Sequence, residues 1–137
     1  MDPRLSFVTL AVPDLAAVRA FYVDGLGWPV ELEADDEVVM IRVAERVVLS
    51  LWSEEGFEAE VGPVRRGEGV VPVTLAHNVA SPAEVDAVLE QARRAGASFV
   101  SAGEPRSWGG YTGYFADPAG FRWEVAHNPG PIGQSVL

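Results

Sequence analysis

The tetrapeptide Val8-Thr9-Leu10-Ala11 returns unchanged as Val73-Thr74-Leu75-Ala76, 65 residues further along a chain of 137. A repeat at almost half the chain length limits the fold more than any other feature, because each copy should open a comparable unit. The residues after each copy agree with this. After the first come Pro13 and Asp14, then Leu15, Val18, Phe21 and Tyr22 at helical spacing, ending at Gly25 and Gly27. Asp14 suits an N-cap, its carboxylate accepting from the amides of the first turn. After the second comes Ser81-Pro82-Ala83-Glu84, a capping box with proline in the first turn. Val85, Val88, Leu89 and Ala92 then form an apolar stripe, and Gly96 can close the helix.

Strand-like runs succeed both helices. In the first half they cover 29–34, 38–43 and 47–52, separated by turns at Asp35-Asp36 and Ala44-Glu45. In the second they cover 98–101, 111–116 and 121–126, joined through Gly103-Glu104-Pro105, Gly109-Gly110 and Asp117-Pro118-Ala119-Gly120. The pattern predicts an α+β fold of two tandem βαβββ modules within one domain spanning 1–137. Module one covers 5–53 and module two 72–128, with an acidic linker at 54–71 and a loose tail at 129–137.

Composition removes several kinds of chemistry. Without cysteine there are no disulfides, thiolate metal sites or cysteine nucleophiles. All ten basic residues are arginine, so Schiff-base and phosphate-loop lysines are excluded as well. No Gly-x-Ser-x-Gly stretch offers a nucleophile elbow. The formal net charge of −10 opposes binding to a phosphate backbone, and the arginines are scattered, with Arg65-Arg66 and Arg93-Arg94 the adjacent pairs. No apolar run approaches the roughly 18 residues of a spanning helix. Met1-Asp2-Pro3-Arg4 lacks the features of a signal peptide. The expectation is a cytoplasmic protein with neither nucleic-acid nor membrane partners.

Three segments carry a resemblance. They are Phe7-Val8-Thr9-Leu10-Ala11-Val12-Pro13-Asp14-Leu15, then Phe21-Tyr22 with Gly25-Leu26-Gly27-Trp28, and Tyr114-Phe115-Ala116-Asp117-Pro118-Ala119-Gly120-Phe121-Arg122-Trp123-Glu124. With the tandem plan they resemble the vicinal oxygen chelate superfamily, which includes glyoxalase I, extradiol dioxygenases, and fosfomycin- and bleomycin-resistance proteins. The resemblance implies curved mixed sheets that enclose a ligand cup, a small-molecule partner and a homodimer. Relatives pair their modules either within one chain or between two.

Metal-dependent members hold a divalent ion with histidines and carboxylates. The resemblance carries those ligand positions onto Phe7, Ser50, Pro72 and Glu124, of which only Glu124 has a good ligating side chain. His77 and His127 fall on the parity of Leu75 and Val125, facing the helix. The expectation is therefore no metal and no cofactor.

Strand alternation assigns Phe7, Thr9 and Ala11 to the cup side of the first strand, and Val48, Ser50 and Trp52 to one face of another. In the last strand Arg122, Glu124 and Ala126 share the cup side. Trp52, Trp108, Tyr111 and Tyr114 are its expected aromatic wall. The ligand-binding candidates are accordingly Phe7, Thr9, Ser50, Trp52, Trp108, Tyr111, Tyr114 and Glu124. Resemblance to fosfomycin-resistance proteins also points to Thr9 and Tyr114. Glu124 could be neutralised by Arg122 or Arg42, or could face a cationic or hydrogen-bond-donating ligand. Two functions are compatible with this set, and a divalent-metal glyoxalase or dioxygenase is a less favoured third. One is metal-independent binding of a flat molecule, and the other is a metal-free lyase or isomerase with Glu124 as base and Tyr114 as acid.

Overall fold

A computed structural model describes residues 1–34, 36–65 and 67–137. Asp35 of the expected Asp35-Asp36 turn and Arg66 of the Arg65-Arg66 pair lie outside the described residues. The chain divides into two compact units, Met1–Glu68 and Gly69–Leu137.

The first unit runs β1 (Phe7–Val12), α1 (Leu15–Arg19), a π-helical turn (Ala20–Gly25), β2 (Val30–Ala34), β3 (Val38–Ala44), β4 (Val47–Ser53) and α2 (Glu54–Glu60). Its sheet has the order β1-β4-β3-β2, with β1 parallel to β4 and the other pairs antiparallel. Asp14 caps α1 by accepting from the Ala17 amide at 2.9 Å. The π turn closes with the Leu26 amide on the Phe21 carbonyl at 2.9 Å, five residues apart. That wider spacing lets two successive aromatics, Phe21 and Tyr22, both be buried, with their rings edge to face at 5.0 Å. Leu10, Val12, Val39, Ile41, Leu49 and Leu51 are buried on the same sheet face. Each such side chain contributes about 1.5–3 kcal/mol of transfer free energy.

The second unit runs β5 (Thr74–Asn78), α3 (Pro82–Ala95), β6 (Phe99–Val100), β7 (Glu104–Pro105), β8 (Tyr111–Ala116), β9 (Arg122–His127) and α4 (Pro131–Gln134). The order β5-β9-β8-β6 repeats the first plan, β5 lying parallel to β9, while β7 also pairs with β8. Two two-residue strands thus stand where the first unit has β2. Ser81 accepts from the Glu84 amide at 3.3 Å, and Gly96 ends α3 at φ 97°. Val85, Leu89 and Ala92 are buried, and α3 lies across β8, β9 and β6. A Cβ on Gly113 of β8 would overlap Leu89 Cδ1, so glycine is what permits that close approach.

Two expectations change. The linker begins with α2, capped by Ser53, whose hydroxyl accepts from the Gly56 amide at 3.2 Å. Glu54 and Glu55 in its first turn suit the positive end of the helix. The tail likewise contains α4, begun by Pro131. Among the described residues no helix is long and apolar enough to cross a membrane.

Candidate functional site

Strand register decides which candidates meet. In the first unit Phe7 pairs with Val48, Thr9 with Ser50 and Ala11 with Trp52, while Met40 and Val38 of β3 sit opposite Ser50 and Trp52. Phe7, Thr9, Ser50 and Trp52 therefore share the sheet face turned away from α1. Ser50 is buried there and Phe7 is half exposed. Trp52 has partners within its own unit. Its indole N–H donates to Glu37 Oε1 at 3.3 Å, and its ring meets Phe57 of α2 edge-on at 5.9 Å.

In the second unit the corresponding face carries Thr74, Arg122 and Ala116 in one row and Ala76, Glu124 and Tyr114 in the next. The Tyr114 hydroxyl donates to Glu124 Oε1 at 3.1 Å. Burial pushes the phenol pKa above its ordinary value and the Glu124 carboxylate adds to this, against opposing effects of Thr112 and Arg106. At neutral pH the group is a protonated donor. Arg106, which no pattern in the sequence singles out, completes the face. Its Nε donates to the buried Thr112 Oγ1 at 2.5 Å, and its guanidinium lies 6.0 Å from the Tyr114 ring centre. The signal that could have found it is the glycine-rich turn, which folds back with the Arg106 amide on the Gly110 carbonyl at 2.8 Å.

Neither of the two arginines expected as partners for Glu124 pairs with it. Arg42 bonds to the Glu31 carboxylate and the Glu45 carbonyl, and Arg122 lies over the Phe99 ring, 3.9 Å from its centre. The group that meets the carboxylate is a phenol.

Tyr111 is a correction to the expected wall. Three residues before Tyr114 in an unbroken strand, it has the opposite parity, and its hydroxyl donates to Asp86 of α3 at 3.0 Å. It belongs to the helix side. Trp108 lies in the turn before β8, 54% exposed, with its ring in the place that a Cβ on Gly110 would take. Gly110 is thus the seat of the indole.

The residues at the metal-ligand positions do not fit a divalent ion. Phe7 and Pro72 have no donor atom, Ser50 has only a hydroxyl, and Glu124 already accepts from Tyr114. His77 pairs with Val125 on the helix-side parity, and His127 Nδ1 lies 3.3 Å from the Val79 carbonyl. Among the described residues, no three histidine, aspartate or glutamate side chains converge to hold a metal.

Comparison with known proteins agrees with this architecture. The family model described as glyoxalase/bleomycin resistance protein/dioxygenase superfamily matches residues 4–125. A glyoxalase-related enzyme from Fulvimarina pelagi is 30% identical, with a TM-score of 0.83, over 93% of this chain and 90% of that one. A glyoxalase/bleomycin resistance protein/dioxygenase from Nocardioides is 25% identical, with a TM-score of 0.78, over 95% and 89%. Lactoylglutathione lyase from Agrobacterium tumefaciens is 26% identical, with a TM-score of 0.70, over 93% and 96%. No curated protein matches the chain significantly. A family match over nearly the whole length, on a doubled βαβββ plan, leads to one conclusion: the chain belongs to the glyoxalase/bleomycin resistance protein/dioxygenase superfamily.

Proposed function

We propose that this chain binds a small, flat organic molecule without a metal, the ligand's cationic or hydrogen-bond-donating group resting on Glu124. The observation that carries this reading is the Tyr114–Glu124 pair on the sheet face away from α3. A carboxyl group held by a neutral phenol through Oε1 leaves its second oxygen for a ligand, whereas an arginine partner would have set a positive charge against it. Trp108, exposed at the end of the same sheet, offers a stacking surface, and a cation against it would gain about 0.5–2 kcal/mol. Arg106 and Thr112 hold the Tyr114 side of the face in place.

The donor set supports metal independence. Elemental analysis after dialysis should find no stoichiometric zinc, nickel, manganese or iron, and calorimetric titration with each ion should show no tight site. One retained metal per chain would overturn this. Native mass spectrometry of the purified protein should detect a copurified small molecule, which Glu124→Gln loses while remaining folded. Unchanged retention in Glu124→Gln would remove the carboxylate from the site. Light scattering tests the homodimer expected from the family.

A further inference from the structure

We infer that Arg122 is an anion-holding residue on the sheet face that carries Tyr114 and Glu124, so that the ligand bears a carboxylate or phosphate-like oxyanion besides the group resting on Glu124. This deepens the proposed function and rests on its choice of face. Arg122 belongs to the row next to Glu124, two residues away on β9 and therefore about 6.5–7 Å along the strand. Its guanidinium lies over Phe99, 3.9 Å from the ring centre, which fixes the plane and leaves the fork of N–H donors in one orientation. Nη1 is buried and has no hydrogen-bond partner. Among the described residues, no carboxylate pairs with Arg122.

A partly buried cation normally takes an acceptor, because a donor withdrawn from water without one costs more than a ring face returns. The obvious acceptor, Glu124, is turned to Tyr114 instead. Other arginines that lie beside acids do pair: Arg19 with Glu33, Arg42 with Glu31, Arg46 with Glu45, Arg93 and Arg94 with Glu90, and Arg106 with Glu104. Arg122 is held ready without being satisfied, and a planar oxyanion meets a fixed guanidinium fork through two parallel hydrogen bonds. With Glu124 in the adjoining row, the face carries both signs of charge.

The probe is benzoate, a flat carboxylate, with benzamide as its uncharged counterpart. Benzoate should shift the Arg122 Nε–H resonance of the wild-type protein and of Glu124→Gln alike, and benzamide should bind at least about tenfold more weakly. Arg122→Gln should lose benzoate binding by a similar factor. Arg122→Met removes an unsatisfied charge and should unfold at a higher denaturant concentration than wild type while no longer binding benzoate. The inference is overturned if benzoate leaves the Arg122 signal in place, if Arg122→Gln binds it as well as wild type, or if Arg122→Met is less stable than wild type. Because Arg122 is read directly and in the Glu124→Gln background, failure here leaves the Glu124 reading standing. Loss of the Glu124 reading likewise does not move the Arg122 signal.

Discussion

Val8-Thr9-Leu10-Ala11 and Val73-Thr74-Leu75-Ala76 are the same four side chains in two environments. In the first unit they lie inside a six-residue strand, with Leu10 only 4% exposed and facing Leu51. In the second, Val73 falls before the strand, β5 has five residues, and Leu75 is half-buried beside Trp123. The difference lies in the cover. Both are edge strands, and the helix that follows each lies across other strands of its sheet, α1 over β4 and β3 and α3 over β8, β9 and β6, but β1 is also met by α2. Identical local sequence thus chooses a strand in both places, but a contact from outside the repeated plan, α2 on β1, goes with the deeper burial.

The sharpest test truncates the same leucine twice. Leu10→Ala should cost about 2–5 kcal/mol in urea denaturation, and Leu75→Ala roughly half as much. Equal costs would break the comparison. Next in size is Gly113→Ala, which sets a methyl against Leu89 Cδ1 and 3.1 Å from the Ala102 carbonyl oxygen. It should cost about 1–3 kcal/mol, because helix and sheet must separate.

Smaller effects distinguish the two faces of the second sheet. Tyr114→Phe should cost about 1 kcal/mol at neutral pH through a lost hydrogen bond, and Tyr111→Phe less, because its bond is exposed. Their causes differ. The Tyr111 phenol is raised first by its hydrogen bond to Asp86, and Tyr114 first by burial. For both, a folded pKa above the unfolded value near 10 gives stability that is complete below about pH 10 and is lost as pH rises through the folded pKa. Each variant should therefore flatten the alkaline fall in stability measured by denaturant melts. A profile unchanged in Tyr114→Phe would mean that the phenol is neither buried nor held by Glu124 in solution. Smallest of all, Trp108→Ala should cost about 1 kcal/mol or less in stability while removing tryptophan quenching by a stacked ligand. A collapse of the fold would make Trp108 a core residue.

Much of the architecture is legible because caps and repeats act locally. Asp14 and Ser81 begin helices, and Gly96 ends one, at the positions their residue types predict. The helix after Ser53 is also written locally, in a serine cap with Glu54 and Glu55 behind it, but an acidic stretch rich in glycine reads first as linker. The site is less legible. Alternation places Glu124 on the cup side of the last strand and the resemblance adds Tyr114, yet Tyr111 joins them only by proximity in sequence, against its parity. Arg106 reaches the face only because a turn reverses the chain, and no period in the sequence encodes that return. Whether an arginine or a phenol takes the Glu124 carboxylate is decided by side-chain rotamers, which a linear pattern does not specify.

The π turn at residues 20–25 also bears on how the chain tolerates changes in length. Removing a residue from an α-helix swings everything beyond it by about 100°. Here one residue is already surplus to the α-helical ladder, so a deletion inside the turn would let ordinary four-residue hydrogen bonds close. The same deletion would end the arrangement in which neighbours in sequence, Phe21 and Tyr22, are buried together. The backbone would gain regularity and the core would lose an aromatic ring. Selection for packing would preserve a surplus residue that hydrogen bonding alone would discard.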